Sequence, residues 1–301
     1  MTVVEISDLV AVWDPGTGER VPVRRDEVVD RLRAAGDARA ARIVARMPVV
    51  GGVLDPVAVD RLLVRVHTEL QRLNEELRMA DRFAELLVPV LAAVRATGVR
   101  PRVVDVGCGL GYLVRSLAAS GVLGGDVELV GVDFNRALVA EAAGLAAEER
   151  LPCSFACGDA FAPAEPAVYV SSGLLHHLPA DRLAGFFQAQ DRAGAPAFVH
   201  YDIAATPLAP LGAWLFHRAR MREPLGRHDG VASARRAHGD GVLLSAAARA
   251  EGLEVFLFEP VRHANPCCAA MRPVVGVRPE LVGAVRQGLG RRARGLVGAA
   301  A

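Results

Sequence analysis

The chain has 301 residues, 52% hydrophobic and 23% charged, which excludes a disordered or fibrous protein and leaves room for about two domains. Its 35 basic residues, all Arg, nearly balance 34 acidic ones, and a formal charge of +1 argues against a protein that coats nucleic acid through a general basic surface. Five cysteines (Cys108, Cys153, Cys157, Cys267, Cys268) without paired CxxC spacing suggest neither a disulfide framework nor a zinc site, and an opening MTVVEISDLV without a basic start and apolar core leads us to expect no export signal, no membrane span and a cytoplasmic location.

In chain order, residues 3 to 23 alternate loosely around the turn signal Asp14-Pro15-Gly16, which predicts a small hairpin or an extended arm. From Asp26 to about Val94 the apolar spacing becomes helical, through Val59, Leu62, Leu63, Val66, Leu70, Leu73 and Leu77 and again through Phe83, Leu86, Leu87, Val90, Leu91 and Val94; two or three amphipathic helices are expected. After Pro101, apolar runs alternate with helical segments. The runs are Arg102 to Val106, Val127 to Val132, Cys153 to Cys157, Ala167 to Ser171, Ala197 to Tyr201, Glu254 to Phe258 and Ala269 to Val277, with helices near Tyr112 to Ala119, Arg136 to Glu148 and Ala180 to Gln190. That alternation predicts a mostly parallel sheet covered on both faces.

The stretch Val103-Val104-Asp105-Val106-Gly107-Cys108-Gly109-Leu110-Gly111-Tyr112 runs an apolar strand into three glycines and then a helix. Backbone can approach a ligand closely there, and the helix start offers free N–H groups. The third glycine stands one position earlier than in the dinucleotide fingerprint G-x-G-x-x-G. Asp105 would repel a pyrophosphate but suits a ligand carrying a cationic amino group.

With this loop the sequence resembles the class I S-adenosylmethionine-dependent methyltransferases, in which acidic-x-G-x-G-x-G forms the cofactor loop; Asp105 to Gly111 match it position by position. Three further landmarks follow in the expected order. Val130-Gly131-Val132-Asp133 places a carboxylate 26 residues after Gly107; the resemblance implies that Asp133 accepts the ribose hydroxyls and Phe134 lies against the adenine. Cys157-Gly158-Asp159-Ala160-Phe161 looks like the adenine turn, with Asp159 on the exocyclic amine. Tyr169 to Leu178 includes Ser172 and the pair His176-His177, and resembles the strand end beside the methyl group. The resemblance covers roughly residues 80 to 277. It implies a Rossmann-like, doubly wound, mostly parallel seven-stranded sheet, S-adenosylmethionine as cofactor, and Asp105, Gly107, Cys108, Gly109, Gly111, Asp133, Phe134, Asp159, Ala160 and Ser172 as its binding residues.

Methyl transfer from a sulfonium mainly requires alignment and exclusion of water, and a base helps when the acceptor is a hydroxyl or an acidic carbon. His177 best matches the position near the acceptor in the family, with His176 and His200 as further candidates; packing or capping of the next helix is the alternative role for one of the pair. Ser171-Ser172-Gly173-Leu174 is not the Asn-Pro-Pro-aromatic turn of adenine or glutamine N-methylation, and it offers no carboxylates for Mg²⁺. Asn265-Pro266-Cys267-Cys268 lies between the last two strands and reads as a packed turn. A zinc site from His176, His177, His200 and Asp202 is the less favoured reading.

The acceptor must be read from what is added to the shared core: an N-terminal arm and helical cap over residues 1–95, and a lid inserted at about 203–241 into a catalytic domain spanning 96–301. The lid opens with Leu208, Leu211, Trp214, Leu215 and Phe216 at helical spacing, which suits core or lid packing better than a membrane surface. Between His217 and His238, six Arg face only Glu223 and Asp229, and Arg227 with His228 are the favoured pair for an anionic acceptor group; a solvated Arg-rich surface is the alternative. A small-molecule acceptor is expected, with neither nucleic acid nor membrane as partner. Cyclisation or rearrangement on the same cofactor, or a non-catalytic regulatory role, are the competing functions.

Overall fold

The computed structural model describes residues 3–14, 17–259 and 269–298. The expectation for Asn265 to Cys268 therefore lies outside the described residues. The chain forms two compact units, Met1–Leu73 with Pro207–Arg236, and Asn74–Thr206 with Ala237–Ala301.

The first unit begins with helix α1 (Ile6–Val10), where only a hairpin or arm was expected, and the hairpin follows as β1 (Val12–Trp13) and β2 (Arg20–Val21). Next come α2 (Arg25–Ala34), α3 (Ala38–Val44), a second hairpin of β3 (Val49–Val50) and β4 (Val53–Leu54), and α4 (Pro56–Glu76). The second unit opens with α5 (Met79–Ala96). Including α5, the region expected to hold two or three helices holds four.

The sheet elements follow as β5 (Arg102–Val106), α6 (Tyr112–Ser120), β6 (Glu128–Asp133), α7 (Arg136–Glu148), β7 (Ser154–Cys157), β8 (Val168–Ser172), α8 (Ala180–Arg192) and β9 (Ala197–Ile203). The insertion then supplies α9 (Ala209–Arg220) and α10 (Pro224–Arg236) to the first unit. The sheet unit resumes with α11 (Asp240–Ala247), β10 (Glu254–Phe258), β11 (Met271–Val277), α12 (Pro279–Leu289) and β12 (Leu296–Gly298). The strands form one eight-stranded sheet in the order β12-β10-β11-β9-β8-β5-β6-β7. Strands β9, β8, β5, β6 and β7 pair in parallel, whereas β11 runs antiparallel to both β9 and β10. The eighth strand, β12, was not among the seven expected; it is three residues long, too short to show a period of its own.

Strand identity follows from burial on both faces. Val103, Val104 and Val106 of β5 are all buried, as parallel strands covered by helices require. One face of the sheet packs on Phe83, Leu87 and Leu91 of α5, Leu113 and Leu117 of α6, and Leu281 and Val285 of α12; the other packs on Leu183, Phe186 and Phe187 of α8 and Leu243 and Ala247 of α11. Pairing order reverses at β5, which has β6 on one side and β8 on the other. Such a reversal opens a crevice at the carboxyl ends of the strands.

In the first unit, α10 carries an ionic relay that holds the short elements together. Asp229 accepts the backbone N–H groups of Ile6 (2.8 Å) and Ser7 (2.9 Å), satisfying orphan donors of α1, whose own N-cap residue makes no side-chain cap. His228 lies 2.8 Å from Asp229 through Nδ1 and 2.8 Å through Nε2 from Asp37, which caps α3 by accepting from Ala40 N–H. Burial opposes a charge on His228, but its hydrogen bonds to Asp229 and Asp37 and their charges overcome that and raise its pKa. A raised histidine pKa stabilises the fold fully below the unfolded value near 6.5, and that stabilisation is lost as pH climbs through the folded value. The melting-temperature gap between wild type and His228→Gln is therefore expected to be widest near pH 6 and to narrow toward pH 9, from a cost of about 1.5–3 kcal/mol. A gap independent of pH would remove the relay from the stability of this unit.

Candidate cofactor and acceptor site

The carboxyl end of β5 turns through Gly107, Gly109 and Gly111, with φ of +72°, +54° and +68°. Side chains other than glycine are disfavoured there, which is why glycine recurs at alternate positions. The loop is tied down by Gly107 N–H and Cys108 N–H, both donating to Val132 O of β6 (2.8 and 3.1 Å). Beneath it lies Phe155 of β7. A Cβ on Gly111 would sit 2.2 Å from the Phe155 ring and one on Gly131 2.5 Å from it, so both glycines make room for one aromatic seat. Phe155 was not foreseen, because nothing in a single strand shows which loop its side chain will support.

Asp105 is buried, and its Oδ1 has no hydrogen-bond partner among the described residues. Burial, with the neighbouring charge of Asp133 adding to it, raises its carboxyl well above the ordinary range. An orphaned buried carboxyl oxygen at the root of a glycine loop is costly unless a donor or cation reaches it. Asp133 ends β6 with each oxygen holding one backbone amide, Oδ2 from Gly109 (2.9 Å) and Oδ1 from Asn135 (2.9 Å). A carboxylate has about four acceptor positions, so both oxygens retain capacity for ribose hydroxyls. Phe134 is exposed beside it. Asn135 caps α7 by accepting from Ala137 and Leu138 N–H, which fixes the strand-to-helix turn. In the turn after β7, Gly158 N–H donates to Asp133 O (3.1 Å) and Asp159 Oδ1 accepts from Phe161 N–H (2.9 Å), with Ala160 between them. Cys108 lies in the loop; burial pushes its thiol well up, so it stays protonated.

The turn after β8 meets the glycine loop, since a Cβ on Gly107 would lie 3.0 Å from Leu174 Cδ1. Ser172 ends β8 in register with Tyr201 of β9, and Gly173 N–H donates to Tyr201 O (2.8 Å). The three histidine candidates are then separated by their surroundings. His176 lies in a single 3₁₀ turn, and Asp202 of β9 holds it twice: Oδ2 accepts its backbone N–H (2.9 Å) and Oδ1 lies 2.7 Å from its Nδ1. Burial pulls the Asp202 carboxyl upward, but the charge and hydrogen bond of His176 and the amides of Ile203 and His176 outweigh it and hold the pKa below the ordinary value. With Nδ1–H directed at a carboxylate, Nε2 is the proton-accepting atom of the neutral ring. His177, the favoured candidate in sequence, is half-buried, with its ring centroid 4.4 Å from that of His176.

His200 is enclosed. Its Nδ1 lies 2.8 Å from Ser171 Oγ and its Nε2 2.9 Å from Gln190 Oε1, and it stacks on Phe198 at 5.2 Å between centroids. Both nitrogens are occupied in the core, so the geometry separates His200 from His176 and gives it a packing role. Burial, partly offset by Asp202, lowers its pKa to about 3. A lowered histidine pKa gives stability that is complete above about 6.5 and is lost as pH falls toward the folded value. Below pH 6.5, unfolding free energy should fall by up to about 1.4 kcal/mol per pH unit from this group alone. Chemical denaturation of His200→Gln should show a shallower acid slope; an unchanged slope would remove His200 as its source.

The Arg-rich segment is also redistributed. Arg227 Nε donates to Met221 O (2.6 Å), His228 is held by two carboxylates, and Arg236 pairs with Glu5 and Asp8. The pair favoured for an anionic acceptor thus has partners inside the first unit.

Residues 103–196 match the family described as "Methyltransferase domain". The matched segment runs from β5 through the glycine loop, Asp133 and the histidine turn to the residue before β9. This segment, just under a third of the chain, is thus similar to a methyltransferase domain. A search of curated proteins finds no match. Among solved structures, magnesium protoporphyrin IX methyltransferase (ChlM) from Synechocystis PCC 6803 with bound SAH is 18% identical, covering 84% of this chain and 99% of that one at a TM-score of 0.46. A SAM dependent methyltransferase from Aquifex aeolicus is 14% identical, covering 67% and 96% at 0.42. With TM-scores below 0.5, these likenesses carry none of the assignment, which rests on the matched domain and the strand-edge geometry.

Proposed function

We propose that the protein methylates a small-molecule acceptor at a hydroxyl or activated carbon, and that His176 accepts the departing proton. The observation that carries this reading is the Asp202 clamp on His176 at the switch point of the sheet, in a turn that abuts the glycine loop. The binding residues suit the cofactor: Asp105 offers a buried acceptor to an amino group, the glycines admit backbone close to a ligand, and Asp133 keeps lone pairs for hydroxyls. S-adenosylmethionine, when bound, supplies an electrophilic methyl group on a sulfonium. The chain's own contribution is to orient the acceptor and take its proton at His176 Nε2 as the oxygen or carbon becomes nucleophilic; the Asp202 charge steadies the resulting imidazolium. Incubating the protein with methyl-labelled S-adenosylmethionine and a metabolite extract, then separating the products, tests the reading. Label in a small molecule is the expected result. A protein that binds the cofactor yet transfers no label would favour rearrangement chemistry or a regulatory role.

A further inference from the structure

The helix that opens the insertion turns its apolar residues outward. None of the residues of α9 is buried. Leu208 is 71% exposed, Leu211 and Leu215 56% each and Trp214 42%. At about 100° per residue, Leu208, Leu211 and Leu215 fall on one face, with Trp214 and Arg218 along its border. The inner face is the less apolar one: His217 packs against α10 so closely that a Cβ on Gly230 would lie 2.1 Å from its ring. Expected packing of these leucines in a core or lid is therefore not what the structure shows.

Charge is as one-sided as hydropathy. No Asp or Glu occurs from Ile203 to Arg222, while Arg218, Arg220 and Arg222 are exposed at the carboxyl end of the ridge. Arg220 also covers the Phe216 ring at 5.0 Å. Two acids at that end have partners of their own: Glu223 pairs with Arg65 at 2.6 Å, and Glu69 accepts the backbone amides of Arg222 and Glu223.

We propose that this ridge docks the protein on an anionic lipid surface, with the leucines and Trp214 in the acyl boundary and the arginines among the headgroups. Three arguments select that occupant. The partner must offer apolar surface along the leucines and anions at the helix end, which an anionic bilayer does within a few ångströms of depth. A second copy would bring the same arginines, with its Glu69 and Glu223 already bonded to Arg222 N–H and Arg65. The ridge from Leu208 to Leu215 is about 10 Å long, whereas a patch of roughly 800 Å² per partner in a stable protein interface is about 30 Å across, and lipid needs no shape complement. Trp214 suits the interfacial depth at which indole rings concentrate. The contact is peripheral, since no helix among the described residues is long and apolar enough to cross a membrane. It revises the expectation that the protein has no membrane partner.

Sedimentation of the full chain with vesicles tests this, using equimolar phosphatidylglycerol and phosphatidylcholine against phosphatidylcholine alone. The wild type should partition onto the anionic vesicles, and salt should weaken binding. Leu211→Glu/Leu215→Glu should reduce partitioning on the order of a hundredfold, and Arg218→Gln/Arg222→Gln roughly fivefold per Arg. These side chains are exposed, so circular dichroism and melting temperature should stay at wild-type values. Absence of wild-type binding to the anionic vesicles overturns the proposal, as does equal binding by the double-Glu variant. A concentration-dependent dimer that the double-Glu variant abolishes, without vesicle binding, overturns it in favour of a second copy.

Discussion

Asp133→Ala is expected to weaken S-adenosylmethionine binding by on the order of 10² to 10⁴ in Kd, the largest effect among the cofactor residues. The carboxylate does two things at once. It accepts Gly109 N–H and Asn135 N–H, pinning the glycine loop to the start of α7, and in the proposed complex its remaining lone pairs take the ribose hydroxyls. Each hydrogen bond to a charged group contributes about 1.5–3 kcal/mol, and two or more are lost together. Calorimetric titration with S-adenosylmethionine reads the change, and far-UV circular dichroism shows whether the sheet is retained. Asp133→Asn keeps an acceptor for one amide and should fall between the two. Wild-type affinity in Asp133→Ala would sink the ribose assignment.

His176→Ala is expected to lower kcat by about 10² to 10⁴ while cofactor affinity stays within a few-fold of wild type, since the ring acts on the acceptor's proton. Asp202→Asn should reproduce much of that loss in kcat, because the ring loses the carboxylate that orients it. His177→Ala is the comparison, and the clamp predicts a smaller effect there. Initial rates with the acceptor found by methyl labelling give both quantities. Equal, small effects from the two histidine substitutions would mean catalysis by alignment alone, as suits an already nucleophilic acceptor.

Much of the sheet was legible in the sequence because its signals are local. Arg102 to Val106, Glu254 to Phe258 and the helix from Arg136 to Glu148 begin and end in the structure where their residues predict. A doubly covered strand is apolar at nearly every position, and it stops where Gly107 turns to positive φ or Asn135 caps the next helix. The glycine loop, Asp105 and Asp133 could be placed on one edge for the same reason: each stands at a strand-to-helix junction, and parallel topology gathers those junctions on a single side.

Tertiary structure alone decided what each polar side chain meets. Strand alternation puts Phe198, His200 and Asp202 on one face of β9, yet sequence cannot say that His200 closes into the core with Ser171 and Gln190 while Asp202 reaches back 26 residues to clamp His176. The same holds for Asp229 capping α1 across 223 residues of chain, and for the α9 leucines, whose spacing reads as buried and whose side chains are exposed. Periodicity reports which residues share a face; which face finds a partner depends on elements far away in the chain. Composition, strand pattern and the glycine loop thus determined the fold class and the strand edge that gathers Asp105, the glycines and Asp133. Long-range pairing decided which histidine Asp202 clamps, and which apolar surface was left facing outward.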